Sequence, residues 1–70
     1  MKLIVNGEQK SILTDTESLP LNKILINLGF DPKLIVVELN GVILNHKNRE
    51  NQNIKNGDKL EIVTIVGGGS

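Results

Sequence analysis

The sequence predicts an α+β domain in which strand hairpins surround one helix. Three Asn-Gly dipeptides, which begin at Asn6, Asn40 and Asn56, lie between runs of alternating apolar and polar residues. This pattern is typical of tight β-turns. One segment has the 3.6-residue apolar period of a helix instead. Hairpins grouped around a single helix favour a sheet with that helix packed on one face.

The first element is a predicted hairpin over residues 1–13, "MKLIVNGEQKSIL". Alternation points Leu3 and Val5 to one side and leaves Ile4 on the other, because successive strand side chains face opposite ways. The return strand extends to Ile12-Leu13. Ile4 is therefore an aliphatic residue that the core does not explain.

The helix follows the loop residues "TDTESLP". Ser18 is the predicted N-cap, and Pro20 is tolerated in a first helical turn. Gly29 is expected to end the helix in a left-handed conformation, with Phe30 folded back toward the helix. The apolar stripe of this helix consists of Leu21, Ile24, Leu25 and Leu28.

A second strand pair is predicted over residues 34–44, "LIVVELNGVIL", followed by a last strand over residues 59–66, "KLEIVTIV". Between them, the polar run 45–53 has no period and predicts a surface loop. Lys47 and Arg49 form a small basic spot in it, which is usually solvated, with an accessory partner contact as the alternative. The residues expected in the core from these strands are Ile35, Val37, Leu39, Leu60 and Ile62.

Composition excludes several classes of function. The 70 residues contain no Cys, one His, one aromatic residue and a net charge of zero. These counts argue against a disulfide framework, a transition-metal site and a nucleic-acid grip. No apolar run approaches the roughly 18 residues of a membrane span. A cytoplasmic protein that binds no metal, membrane or nucleic acid is expected.

The order of strands, helix and strands in so short a chain favours the β-grasp fold, a mixed sheet of four to five strands with one main helix. In that fold the last strand lies beside the first, in the middle of the sheet. Residues 1–66 are the predicted domain. Residues 67–70, "GGGS", are a predicted flexible tail.

Three segments resemble the ThiS family, the sulfur carrier proteins of thiamine biosynthesis. They are "MKLIVNGE" at residues 1–8, "VVELNG" at residues 36–41 and "NGDKLEIVTIVGGG" at residues 56–69. The last segment is the most specific, because a turn, an alternating strand and terminal glycines seldom occur together. The similarity spans nearly the whole chain in length and order.

The resemblance implies a carrier that is not itself an enzyme and binds no cofactor. Members of the family end in Gly-Gly, so Gly68 and Gly69 are the expected sulfur-carrying end. An adenylyltransferase related to ubiquitin-activating enzymes uses ATP to activate the terminal carboxylate. A sulfur donor enzyme then gives a thiocarboxylate, which passes sulfur to thiazole synthase. A monomer that visits these partners in turn is expected.

Ser70 departs from the family pattern because it follows the glycine that should end the chain. An added residue or one removed by processing is favoured over a native end of altered activity. If Ser70 stays, the terminal carboxylate is that of a serine. Its side chain would intrude where the family carries only hydrogen, so the chain as given is expected to be a poor substrate.

A partner-binding patch is predicted beside the tail. If the first and last strands are neighbours, the outward residues Ile4, Val63 and Ile65 form an aliphatic surface next to Val66-Gly67. Such a surface often marks a protein interface. The alternatives are that a strand twist or bulge buries one of them, or that they are single exposed aliphatic residues without a function.

Two further functions stay open. The small subunit of molybdopterin synthase shares the fold and the terminal Gly-Gly, but its approach to the tail is usually more aromatic and contains proline. A β-grasp interaction module with an incidental glycine tail is the other alternative. Only a carrier gains mass with ATP, an activating enzyme and a sulfur source.

Overall fold

The computed structural model describes residues 1–65. Its helices are α1 Leu21–Asn27 and α2 His46–Arg49, and a 3-10 turn covers Pro32–Leu34. The strands are β1 Lys2–Val5, β2 Glu8–Ser11, β3 Ser18–Pro20, β4 Ile35–Leu39, β5 Val42–Leu44, β6 Asn53–Lys55 and β7 Lys59–Thr64.

Five strands form one mixed sheet in the order β2-β1-β7-β4-β5. The last strand lies at its centre, parallel to β1 and antiparallel to β4. Strands β3 and β6 pair separately as a two-stranded sheet. The predicted β-grasp fold, with a mixed sheet and one main helix, is confirmed.

The two predicted Asn-Gly hairpins are present, and both residues of each turn have a positive φ. The angles are 52° and 82° at Asn6 and Gly7, and 49° and 90° at Asn40 and Gly41. Two consecutive left-handed residues define the type I′ turn, whose twist matches that of the flanking strands. Asn is among the few residues other than Gly that adopt this conformation readily.

Helix α1 packs its predicted stripe into the core and ends as its sequence predicts. Leu21, Ile24 and Leu25 are fully buried, and Leu28, directly after the helix, is half-buried against the core. Gly29 has a φ of 91°; its N–H donates to the Ile26 carbonyl, while that of Phe30 donates to the Leu25 carbonyl. This pair of bonds is the Schellman motif, which satisfies carbonyls at the end of a helix.

The core lies between α1 and one face of the sheet. Every residue predicted for it from β4 and β7 is buried except Leu39, which is half-buried. The buried apolar residues are Leu3, Val5, Ile12, Leu21, Ile24, Leu25, Ile35, Val37, Leu44, Ile54, Leu60 and Ile62.

The predicted N-cap at Ser18 is wrong. Ser18 lies in β3, where it pairs with Lys55 of β6, and the cap position is occupied by Pro20 without a side-chain hydrogen bond. The backbone N–H of Leu21 donates instead to the Gln52 carbonyl at 2.9 Å. A long-range contact therefore satisfies the helix start that a local cap was expected to satisfy.

The predicted surface loop over residues 45–53 is also wrong in part, because it contains α2 and the first residue of β6. Asn45 caps α2 by accepting a hydrogen bond from the Asn48 N–H at 2.8 Å. Arg49, predicted to be solvated, is only 4% exposed. A helix of four residues is too short to show an apolar period, and a buried Arg is rare unless its donors are paired.

Candidate functional site

Strand β7 positions the predicted site, because it is the last strand before the glycines. It lies between β1 and β4, and the N–H of Ile65, directly after it, donates to the Leu34 carbonyl at 2.6 Å. Strand β1 pairs with the beginning of β7, and β4 pairs with it as far as Thr64. The predicted site residues Val66, Gly67, Gly68, Gly69 and Ser70 lie outside the described residues.

The two faces of β7 differ in character. Leu60 and Ile62 point into the core and are buried. On the opposite face, Val63 is 64% exposed, and Ile65, after the strand, is 48% exposed. Ile4 of β1 is 40% exposed. All three residues predicted for the patch are accessible to a partner.

The placement of Ile4 beside Val63 is wrong, however. Ile4 lies opposite Lys59 at the start of β7, whereas Val63 is four positions further along. At about 3.3 Å per residue, the two positions on β7 are about 13 Å apart. The parallel register between β1 and β7 therefore puts Ile4 beside the first residue of β7, at the opposite end of the strand from Val63.

The aliphatic surface at the C-terminal end of β7 is formed by β7 together with β4 instead. Val63 pairs directly with Val36, which is 41% exposed, and Ile65 bonds through its backbone to Leu34, which is 51% exposed. We call Leu34, Val36, Val63 and Ile65 the tail-side patch. Sequence reasoning missed Val36, although alternation with buried Ile35 and Val37 would have placed it outside.

An acidic pair borders the tail-side patch. Glu38 of β4 and Glu61 of β7 lie directly opposite one another, and both are half-buried. Their strand parity places them on the same face as Val36 and Val63. Like charges in direct cross-strand register repel. The exposed face of the sheet thus combines an aliphatic half at the C-terminal end of β7 with a negatively charged strip next to it.

The remaining candidate residues form no catalytic constellation in the part of the chain that is described. His46 is exposed in α2. Residues 1–65 contain no cluster of three or more His, Cys, Asp and Glu side chains suited to a metal ion. Neither helix in this range is long and apolar enough to cross a membrane.

Comparison with known proteins identifies the family. A model of the ThiS family matches residues 3–69. This chain belongs to the ThiS family. The match covers β1 from Leu3 onward, all of β7 and the three glycines, and it ends at Gly69, directly before Ser70.

Solved structures and sequence relatives agree with ThiS membership. The crystal structure of the thiamine biosynthesis protein ThiS from Geobacter metallireducens superposes with a TM-score of 0.79 at 34% identity, covering 99% of this chain and 100% of that one. The uncharacterized protein ycf40 of Trieres chinensis is 43% identical over 65 residues, which are 93% of this chain and 85% of that protein.

A third relative is much longer. The thiazole synthase of Paramagnetospirillum magneticum is 37% identical over 70 residues. These residues are 100% of this chain but 21% of that protein. A segment similar to this ThiS-family chain therefore occurs within a protein that carries the name of an enzyme.

Proposed function

We propose that this protein is the sulfur carrier of thiazole formation in thiamine biosynthesis and is not itself an enzyme. The observation that carries the proposal is the ThiS-family match over residues 3–69, which includes the strand β7 and the glycines after it. The Geobacter metallireducens neighbour, a thiamine biosynthesis protein, supports the same pathway. The thiazole synthase relative favours this branch over molybdopterin synthesis.

The chemistry takes place on the carboxylate of Gly69. A terminal carboxylate is ionised at neutral pH and is a poor electrophile. Its oxygen attacks the α-phosphorus of ATP and expels pyrophosphate, which gives an acyl-adenylate. Sulfur delivered at the sulfide level by the donor enzyme then attacks the acyl carbon and displaces AMP, which leaves a thiocarboxylate. Activation splits one difficult substitution into two easier steps.

Glycine suits this end because it has no side chain. Gly68 and Gly69 let a partner's active site approach the backbone closely, and they can adopt φ values that other residues avoid. ATP belongs to the partner, an adenylyltransferase of the ubiquitin-activating type. Thiazole synthase accepts the sulfur, a separate enzyme supplies it, and the carrier acts as a cytoplasmic monomer.

The tail-side patch is the proposed docking surface for these partners. It is aliphatic, it lies on the face opposite α1, and Ile65 is the last described residue before the glycines. An enzyme that must receive the tail in its active site contacts this part of the body first. Val66 and Gly67 continue from it in sequence, whereas Ile4 is expected to contribute less because of its place on β1.

The test of the carrier function compares two versions of the chain, one ending at Gly69 and one retaining Ser70. Each is incubated with ATP, the cognate adenylating enzyme and a sulfur source, and its intact mass is measured. The mass of the version ending at Gly69 should increase by about 16 Da, because one carboxylate oxygen is replaced by sulfur. The version with Ser70 should gain far less, because its Cβ and hydroxyl lie next to the reacting carbon.

Omitting ATP is the control for this experiment, since adenylation must precede sulfur transfer. Equal thiocarboxylate formation by both versions would refute the assignment of Gly69 as the loaded end. No gain in mass by either version would refute the carrier function itself and leave an interaction module.

The docking surface is tested by replacing Ile65 with Asp. A charge in the centre of an apolar contact should weaken binding to the adenylating enzyme about tenfold or more, because the carboxylate loses its water there. Ile65 is exposed, so the fold should persist. Calorimetric titration of the enzyme with each variant measures the effect.

The matched control is Ile26→Asp. Ile26 is also an exposed aliphatic residue, at 66% exposure, but it lies on α1. Its substitution should leave the affinity unchanged. Equal losses in the two variants, or none in Ile65→Asp, would contradict the tail-side patch as the docking surface.

A further inference from the structure

Strand β7 loses its neighbour on the β1 side before its own end. The two strands pair only at Ile4–Lys59 and Val5–Leu60, and the chain then turns away through Asn6-Gly7. On the other side, β4 pairs with β7 as far as Thr64. The second half of β7 therefore has a full backbone partner on one side only.

The side chain of Asn6 lies beside Ile62 of β7, where a further residue of β1 would pair if that strand continued. Its Oδ1 accepts a hydrogen bond from the N–H of Ile62 at 2.7 Å, and its Nδ2 donates to the carbonyl of Ile62 at 3.1 Å. The N–H of Asn6 also donates to the Leu60 carbonyl at 2.9 Å. One side-chain amide thus supplies the acceptor and the donor that a further residue of β1 would have supplied.

This contact is the last one on the β1 side before the end of β7 in the described part of the chain. Lys59 and Ile65 bond through their backbones to the β4 side. Because bonding directions alternate along a strand, the N–H and C=O of Thr64 point to the β1 side, where β1 has already ended. Past Ile62, β7 is guided by β4 alone.

We propose that Asn6 is a positioning residue that fixes the direction in which β7 delivers the glycine tail to a partner enzyme. The inference rests on the proposed carrier function. A strand end that swings free presents the tail correctly for a smaller fraction of the time, and apparent affinity falls by that fraction. Holding Ile62 from both sides limits the swing.

The chemistry of the contact calls for Asn. Glycine at position 6 preserves the left-handed turn but removes the amide. Aspartate preserves the shape but sets a carboxylate oxygen against the Ile62 carbonyl, so that one bond becomes a repulsion. Asn6→Gly therefore removes both bonds, and Asn6→Asp removes the one donated to the Ile62 carbonyl, without the backbone strain of other residues at a φ of 52°.

Asn40 provides a matched control. It occupies the same position of the other type I′ turn, with a φ of 49°. Its side chain also makes two hydrogen bonds: Oδ1 accepts from the Lys59 N–H at 2.9 Å, and Nδ2 donates to Asp58 Oδ1 at 3.1 Å. The difference is position, because Asn40 holds the start of β7 and Asn6 holds its later part.

The experiment uses the chain ending at Gly69 and its Asn6→Gly and Asn40→Gly variants. Pyrophosphate release by the cognate adenylating enzyme with ATP is measured as a function of carrier concentration. For Asn6→Gly, KM should rise roughly fivefold with kcat unchanged, as expected from losing hydrogen bonds of ordinary net strength. Asn6→Asp should shift KM in the same direction. Asn40→Gly should retain the KM of the parent chain, even if its thermal stability falls as much as that of Asn6→Gly.

Amide hydrogen exchange gives a second readout that needs no enzyme. The N–H groups of Val63 and Ile65, on the β4 side of β7, should exchange faster in Asn6→Gly than in Asn40→Gly. Equal KM values for the two variants, or equal exchange at these amides, would overturn the inference. If the parent chain releases no pyrophosphate, the carrier function fails and the exchange comparison alone decides the role of Asn6.

Discussion

Strands β1 and β5 of the five-stranded sheet end before the strands they pair with. Beyond each end, a side chain makes hydrogen bonds to the backbone of the longer strand in place of the missing residues. Asn6 does so for Ile62 of β7, where β1 has ended. Arg49 does so for β4: Val37 pairs with Leu44, the last residue of β5, and the carbonyl of Ile35 lies two residues beyond this pair. Arg49 Nη2 donates to that carbonyl at 2.9 Å.

The two contacts differ in burial and in what they hold. Arg49 is 4% exposed, and its Nη1 also donates to the Pro32 carbonyl at 2.9 Å. It joins α2, the 3-10 turn and the start of β4, so it supports the fold. Asn6 is exposed and holds one residue of the strand that leads to the glycines. The comparison separates a contact that supports the fold from one for which we propose a role in directing the glycine tail.

Replacing Arg49 with Met should have the larger effect on stability. Met fills a similar volume but leaves the carbonyls of Pro32 and Ile35 without donors, and an unsatisfied buried acceptor costs about 1–3 kcal/mol. Since removal of a buried charge offsets part of this cost, we expect the free energy of unfolding to fall by about 2 kcal/mol. Urea titration followed by circular dichroism measures the change.

Lys47→Met is the control, because Lys47 is a basic residue of the same short helix but is exposed. Its substitution should change the free energy of unfolding by less than about 0.5 kcal/mol. A loss in Arg49→Met no greater than that in Lys47→Met would show that the guanidinium bonds contribute no net stability. Arg49 could then no longer be contrasted with Asn6 as the contact that stabilises the domain.

Local signals in the sequence predicted the elements that are determined locally. The Asn-Gly turns at Asn6 and Asn40 need left-handed residues, and the end of α1 needs Gly29, so each is visible in a few neighbouring letters. Burial of Leu60 and Ile62 follows from alternation. Arg49, by contrast, is buried only because Pro32 and Ile35 are brought to it from more than a dozen residues away.

The site was predictable to the same extent. Outward parity identifies Val63 and Ile65 as accessible, and the family resemblance assigns the glycines. The register between β1 and β7 has no local signature, because a parallel pair is joined by the whole intervening chain rather than by a turn. Ile4 was for this reason assigned to the wrong end of β7, and the partner of Val63 is Val36 of β4.

The smallest expected effect concerns the β4 side of β7, next to the residue that Asn6 holds. Glu61 precedes Ile62 and faces Glu38 across the strands. Relief of a like-charge cross-strand pair should raise the free energy of unfolding of Glu61→Gln by roughly 0.2–1 kcal/mol. The gain should shrink as salt is added, because salt screens charges on an exposed face.

Glu8→Gln makes the same chemical change where the cross-strand partner is Val5 rather than an acid, so neither a gain nor its salt dependence is expected there. Urea titrations of both variants at low and high salt give the comparison. If the free energy of unfolding rises no more in Glu61→Gln than in Glu8→Gln, Glu38 and Glu61 do not repel one another measurably. If the free energy rises more in Glu61→Gln, repulsion between Glu38 and Glu61 weakens the pairing of β7 with β4 next to Ile62, the residue that Asn6 bonds on the β1 side. The acidic pair would then be one reason why the later part of β7 needs the hydrogen bonds of Asn6 in addition to its pairing with β4.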